Sequence, residues 1–353
     1  MRVVLVGAGA VGSLLGWALA STGADVSVVR RRGSTAVAEL VVVDPVGVQH
    51  SAAVRSMSDR TTRSGSDPTT RSGSDPATLA EPPDLILLAV KAFDLPAALA
   101  AVAAWPSTAV LTVQNGIGAE EATLEARPQG PLLAGSLTAS VERSADGSVR
   151  WLRRGGIGLA AVQGDVAELR DELVGHVRRA GLLTRALPEW RAMKWSKLLA
   201  NLVANATSGI LDRDPAAIYA DPVLYGVERV QLQEALAVMA AQGLRPVGLP
   251  GAPIVWLARA VGLPPAIGRP ILARAAGGAR GGKSPSLRLH LASGAGGPGE
   301  IEQLNGAVVA AGAQFGLPTP VNAALVAAYA DVAADPSRRA WYRAHPEALT
   351  SGR

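Results

Sequence analysis

The chain has 353 residues, no cysteine and four histidines, with a formal net charge of +5. That length can bury a large core and favours two domains, while the absence of cysteine excludes a disulfide framework, a thiolate metal site and a cysteine nucleophile. Aromatic residues make up only 4% and no apolar run reaches membrane-spanning length, so the positive charge points to an anionic cofactor and substrate rather than to nucleic acid or a membrane.

Residues 2–6 are β-branched and apolar, the pattern of a strand buried on both faces of a parallel sheet. The turn Gly7-Ala8-Gly9-Ala10-Val11-Gly12 follows at once, then a helix over 13–21 and a second strand over 25–29. In this setting the spacing G-x-G-x-x-G predicts dinucleotide binding, with all six turn residues at the cofactor. Gly7 makes the tight turn, Gly9 admits the pyrophosphate and Gly12 lets helix and strand pack closely. The second strand runs into Arg30-Arg31-Arg32, where an NAD-preferring chain usually places an acidic residue. Arginine suits the 2′-phosphate of NADP, which its planar fork can hold in a bidentate manner. The first twenty residues also have features of a secretory signal. Their evenly placed glycines, and the loss of a partner for strand 25–29 if they were removed, favour a cytoplasmic chain.

Short strands are expected over 40–43 and 47–54. The octapeptide TTRSGSDP then occurs twice without change, at 61–68 and 69–76, and predicts a mobile polar insertion over about 59–77. Strands over 84–90 and 109–113 end at Lys91 and Asn115, and ligands of open α/β sheets bind outside such carboxyl ends. Segments 132–141 and 149–159 read as a hairpin extending the sheet, followed by a helix over 166–180 and a strand over 181–185. From Trp190 onward the pattern is helical, so the boundary falls near Leu187-Pro188. The expected architecture is α/β, an N-terminal Rossmann-type doubly wound sheet over 1–187 followed by an all-helical domain over 188–345.

A single helix is expected over 189–211. On it Lys197, Asn201 and Asn205 are spaced i, i+4, i+8 and form one polar stripe among leucines. A solvent face would carry more charge, and mid-helix asparagines lower helix propensity, so the stripe reads as a site. Further helices are expected over 222–242, over 254–281 with interruptions, over 300–315 and over 321–334. A loop opening at Lys283-Ser284-Pro285-Ser286 closes at Glu300, and the apolar helices are compatible with a homodimer.

Six of these segments together, GAGAVG, AVKAF, VQNGIG, KWSKLLANLVAN, KSPS and EIEQLNG followed by GLPTPVN, resemble the ketopantoate reductase (2-dehydropantoate 2-reductase) family in order and interval. The resemblance covers almost the full chain. It implies an NADPH-binding Rossmann domain, a helical domain that closes on a small 2-keto acid, and reduction to the 2-hydroxy acid for pantothenate and coenzyme A synthesis. By matching motif, Lys197 would be the general acid and Glu300 would help hold substrate and cofactor. Asn115, Asn201, Asn205 and Ser286 would bind substrate. Lys91, Arg31, Asn115 and, by a looser alignment, Ser140 would contact the cofactor. The chain departs from the family near the substrate: His290 stands where members commonly have aspartate, and no further asparagine occurs over 212–215. A reductase of a different branched 2-keto acid and a non-catalytic NADPH sensor therefore stand as alternatives.

Overall fold

A computed structural model describes residues 1–30, 37–58, 81–278, 284–294, 297 and 299–350. The duplicated octapeptide, Arg31 and Lys283 lie outside the described residues. The chain divides into two compact units, one of Met1–Gln114 with Ala119–Trp190, the other of Asn115–Gly118 with Arg191–Arg353. No helix among the described residues is long and apolar enough to cross a membrane.

The first unit carries β1 (Arg2–Val6), α1 (Ala10–Ala20), β2 (Asp25–Arg30), β3 (Glu39–Val43), β4 (Gln49–Ala53), β5 (Arg55–Ser58) and β6 (Leu85–Leu88). It continues with α2 (Leu95–Ala101), β7 (Ala109–Thr112), α3 (Ala119–Ala126), β8 (Leu132–Leu137), β9 (Ser140–Arg143), β10 (Val149–Arg153), β11 (Gly156–Gln163), α4 (Ala167–Arg179) and β12 (Leu183–Ala186). Among the described residues eight strands form the main sheet in the order β12-β11-β8-β7-β6-β1-β2-β5, with β6, β7 and β8 wholly buried and β6 an unbroken apolar run. All pairings in it are parallel except β8 with β11. The chain leaves β1 toward β2 and β5, then returns to place β6 on the other side of β1. That reversal makes the carboxyl ends of β1 and β6 the crevice where such sheets hold ligands.

Three expectations are corrected here. The helix after the glycine turn starts at Ala10 rather than at residue 13, so Gly12 lies inside it. A Cβ on Gly12 would come 2.0 Å from the Gly7 carbonyl oxygen and 3.0 Å from the Ala89 Cβ, so the helix can begin this early only because position 12 is glycine. The hairpin is not a single extension of the sheet. Each of its arms breaks, β8 and β11 staying in the main sheet while β9 and β10 join β3 and β4 in a second, four-stranded sheet of order β4-β3-β10-β9. Gly155 and Gly156 sit at the break, where a Cβ would meet the Ala139 backbone nitrogen at 2.5 Å and the Leu183 carbonyl oxygen at 1.8 Å.

The second unit consists of α5 (Trp190–Leu202), α6 (Ala206–Leu211), α7 (Pro215–Ala220), α8 (Pro222–Ala241), α9 (Ile254–Gly262), α10 (Pro265–Gly278) and α11 (Ser286–Ala292). A π-helical turn (Glu302–Gly306), α12 (Ala307–Gln314), α13 (Pro320–Ala334) and α14 (Arg338–Ala344) follow. The third correction is that the helix expected over 189–211 is two helices, and the one expected over 300–315 opens with the π turn.

In the first unit α1 and α4 meet through His176, whose Nδ1 lies 2.7 Å from the Thr22 hydroxyl. Burial first, then the Arg179 charge, holds this imidazole below its ordinary pKa. The unfolded imidazole therefore takes up its proton at a higher pH than the folded one. The stability it contributes is complete above about pH 6.5 and is lost as pH falls through the depressed folded value. Urea unfolding should show a falling unfolding free energy below about pH 6.5, and the acid slope should be shallower in His176→Gln.

Candidate functional site

The glycine turn presents the features an anionic cofactor needs. Gly7 has a left-handed φ of 99°, and a Cβ there would strike the Val90 backbone nitrogen at 2.7 Å, so the turn packs directly on the carboxyl end of β6. A Cβ on Gly9 would meet nothing within 4 Å, which leaves that backbone open to approach. The N-terminus of α1 has no side-chain cap and no acidic residue in its first turn, so its amide donors suit a phosphate. These residues fit the pyrophosphate of a dinucleotide.

Around the turn, Ala8 and Ala10 and Val11 are half-buried or flank exposed backbone, and Lys91 is exposed at the head of a short 3₁₀ turn after β6. Gln114 carries no sequence signal beyond its motif. Its side-chain amide donates to the carbonyls of Leu88 and Val90 at 3.0 and 3.2 Å, tying the carboxyl ends of β6 and β7 together. A second residue outside the expected set is Arg143 on β9, whose guanidinium donates to the Ala8 carbonyl at 3.0 Å. Ser140 opens the same strand, half-buried and paired with Arg153.

In the second unit, Lys197 and Asn201 occupy one face of α5, one turn apart, both half-buried. Asn201 Nδ2 donates to Asn115 Oδ1 at 3.3 Å, which brings the Asn115–Gly118 loop and the lysine helix together within the second unit. The same loop is pinned by the π turn: Ile117 N–H donates to the Gln303 carbonyl at 3.0 Å. A π turn frees a carbonyl from the regular ladder, and here the loop amide takes it up. Gly116, with φ of 84°, has no room for a Cβ, which would lie 2.3 Å from that same oxygen.

Asn205 does not continue the stripe. The helix stops at Leu202, Ala204 turns left-handed with φ of 45°, and Asn205 becomes the residue preceding α6. Its side chain then reaches α11, donating to Ser286 Oγ at 3.3 Å and accepting from the Leu287 amide at 3.1 Å. The break is held by Glu228 of α8, fully buried, whose carboxylate accepts from Ala204 N–H at 2.7 Å, Thr207 Oγ1 at 2.7 Å and the Tyr219 hydroxyl at 3.2 Å. Three donors on two oxygens suit an acceptor-only group. One of two glutamates within a long helix, Glu228 gives no sequence signal for this task.

Glu300 is buried just before the π turn. Its charge, after burial itself, helps push the Tyr329 phenol well above its ordinary pKa, and that phenol donates to the Leu287 carbonyl at 3.2 Å. Glu300 is thus within electrostatic range of Tyr329, the side chain that meets α11 at Leu287. Neither Lys197 nor Glu300 is an isolated charge, each taking part in a further polar or electrostatic interaction. Lys194, one turn before Lys197, is also buried although nothing in the sequence distinguished it from a surface lysine.

The residues where the chain departs from the family's substrate pattern have structural partners. Arg288 of α11 bonds Asp212 at 2.9 Å and pairs with Asp214, and its guanidinium holds the Asp212 carboxyl below the usual carboxylate range. His290 Nε2 lies 3.2 Å from the Gly297 carbonyl.

Two family models match the chain, one described as ketopantoate reductase PanE/ApbA over residues 3–164 and one as its C-terminal domain over 189–333. A 2-dehydropantoate 2-reductase of Halobacterium salinarum is 29% identical over 330 residues, covering 91% of this chain and 95% of the relative. A crystal structure of 2-dehydropantoate 2-reductase from Geobacter metallireducens superposes with a TM-score of 0.74 at 24% identity, over 94% of this chain and all of the other. A D-mandelate dehydrogenase bound to NADH and anilino(oxo)acetate has a TM-score of 0.72 at 19% identity, over 93% and 97% of the two chains, a likeness of fold alone.

Replacing Glu228 by Gln sets an amide against three donors. Urea unfolding of Glu228→Gln should show a loss of about 2 kcal/mol or more, with a thermal midpoint unchanged from wild type counting against the carboxylate as the group that holds the α5–α6 break.

Proposed function

Since the chain belongs to the ketopantoate reductase family and is an oxidoreductase acting on a keto group, we propose that it reduces 2-dehydropantoate to pantoate with NADPH, using Lys197 as general acid. The observation that carries this reading is the Asn115–Asn201 hydrogen bond, within the second unit, which sets the Asn115–Gly118 loop against the helix that bears Lys197. Residues 1–187 hold the cofactor and residues 188–345 the substrate, in a cytoplasmic enzyme of pantothenate and coenzyme A biosynthesis.

A bound nicotinamide would supply a hydride to the ketone carbon. Gly7, Ala8, Gly9, Ala10, Val11 and Gly12 would hold its pyrophosphate, Lys91, Asn115 and Ser140 would contact the rest of it, and Arg31 would select the 2′-phosphate. Lys197 donates a hydrogen bond from Nζ to the ketone oxygen, stabilises the negative charge that builds there and then transfers the proton, completing the hydroxyl. Glu300 helps hold substrate and cofactor. Asn201 orients the substrate, and Ser286, fixed by Asn205, takes its carboxylate. A ketone held between an ammonium and neutral hydrogen-bond donors needs no metal.

Purified protein should oxidise NADPH when 2-dehydropantoate is added. Lys197→Ala should lower kcat by about 10²- to 10⁴-fold while NADPH affinity, read by fluorescence titration, stays within about twofold. Equal activity in that variant would remove Lys197 from the chemistry, and a wild type inert toward all 2-keto acids would favour an NADPH sensor.

A second reading, with a different branched 2-keto acid as substrate, is favoured by His290, which holds the Gly297 carbonyl where the family pattern has a carboxylate. His290→Asp should raise kcat/KM for 2-dehydropantoate if that is the substrate. A decrease together with better turnover of another 2-keto acid by the wild type would select this second reading.

A further inference from the structure

Between α7, α8 and α10, within the second unit, lies an open pocket of about 610 Å³ that no part of the proposed reaction uses. Arg229 of α8 and Arg269 of α10 both line it. Each guanidinium is anchored to backbone, Arg229 Nε donating to the Val261 carbonyl at 3.1 Å and Arg269 to the carbonyls of Tyr219, at 2.9 Å, and Ala220. Neither is in an ion pair with a carboxylate among the described residues. The nearby Asp221 is committed elsewhere, accepting from the Val223 and Leu224 amides and lying 3.7 Å from Arg213. Two positive groups are thus fixed in direction by neutral carbonyls, which orient them and leave their charge uncompensated.

The pocket has a third polar feature. Tyr225 lines it and is only 4% exposed, and its hydroxyl is buried with no hydrogen-bond partner among the described residues. A buried, unsatisfied hydroxyl is costly enough that native structures seldom leave one without a ligand or solvent partner. The rest of the lining is apolar, including Val230, Pro265, Ala266, Pro270 and Ala273. Several neighbours on the same helices, Val223, Ile267 and Ile271, are exposed large apolar side chains.

We propose that this pocket is a binding site for a small amphipathic organic anion, its acidic head between Arg229 and Arg269 and its apolar body along α10. The chemistry selects the class: fixed guanidiniums recognise carboxylate or a similar oxyanion, and a lining of proline, alanine and valine favours an aliphatic body over a sugar or a nucleotide. A neutral molecule of the same shape would leave both guanidiniums uncompensated and lose the interaction that distinguishes the site.

The probe is octanoate, with octan-1-ol as its neutral counterpart, titrated calorimetrically into the full chain. Wild type should bind one equivalent of octanoate, with octanol at least about tenfold weaker. Arg229→Gln should weaken octanoate by about tenfold or more. Ala273→Phe, which keeps both arginines and places a ring in the apolar part of the pocket, should weaken octanoate by about tenfold or more while far-UV circular dichroism stays that of the wild type. No uptake of octanoate by the wild type, equal affinity for octanol, or octanoate affinity unchanged in both variants would each overturn the proposal. None of these readouts depends on NADPH or on turnover, so the proposed reaction can fail while this site stands, and the reverse.

Discussion

A buried carboxylate sets the geometry of the helical unit. Without Glu228, the amide of Ala204 and the hydroxyls of Thr207 and Tyr219 would lose their acceptor in a fully desolvated place. The left-handed turn at Ala204 would then have little to offset its strain, and α5 would be free to run on through residue 205. A continuous helix would keep Asn205 in line with Lys197 and Asn201. The broken one points it at the first turn of α11 instead, where it holds Ser286 and Leu287. The polar face of α5 is thereby divided: two residues stay with the loop at Asn115, and the third fastens the neighbouring helix.

The sheet unit depends on a comparable exclusion of bulk. Parallel strands buried on both faces leave their polar chemistry to the turns at their carboxyl ends. Those turns are crowded wherever backbone meets backbone, at Gly7 against Val90 and at Gly12 against the Gly7 carbonyl, and open at Gly9 alone of the three. The three glycines of one motif therefore answer to different constraints. Two are fixed by close packing inside the protein, and one faces outward.

Much of this was legible in the sequence because it is local. Strand 2–6, the glycine turn, strands ending near Lys91 and Asn115, and the helix at 222–242 each announce themselves by periodicity or composition within a dozen residues. The features that were not legible depend on partners distant in sequence. The split of 189–211 rests on Glu228, and nothing between Lys197 and Leu211 signals it beyond two asparagines in a helix. The second small sheet requires β3 to find β10 more than a hundred residues later. Gln114 reads as one polar residue in a motif until it is seen joining β6 to β7. Arg143 reads as the polar end of a hairpin strand until its guanidinium is found on the Ala8 carbonyl. The helix start at Ala10 is not legible because glycine at position 12 lowers helix propensity, while tertiary packing requires it there.

The four residues Asn115–Gly118 follow β7 in the chain, yet they belong with the helical unit, where the Gln303 carbonyl accepts from Ile117 and closes against Gly116. Sequence continuity and physical allegiance therefore diverge at this loop. A fragment cut at the apparent boundary near residue 187 would carry the loop away from its acceptor, and a chimera joining this sheet unit to a related helical unit would inherit a loop shaped for a different π turn. Recombination between relatives is constrained to exchange the loop together with the segment around Gln303, two pieces far apart in the gene that behave as one module.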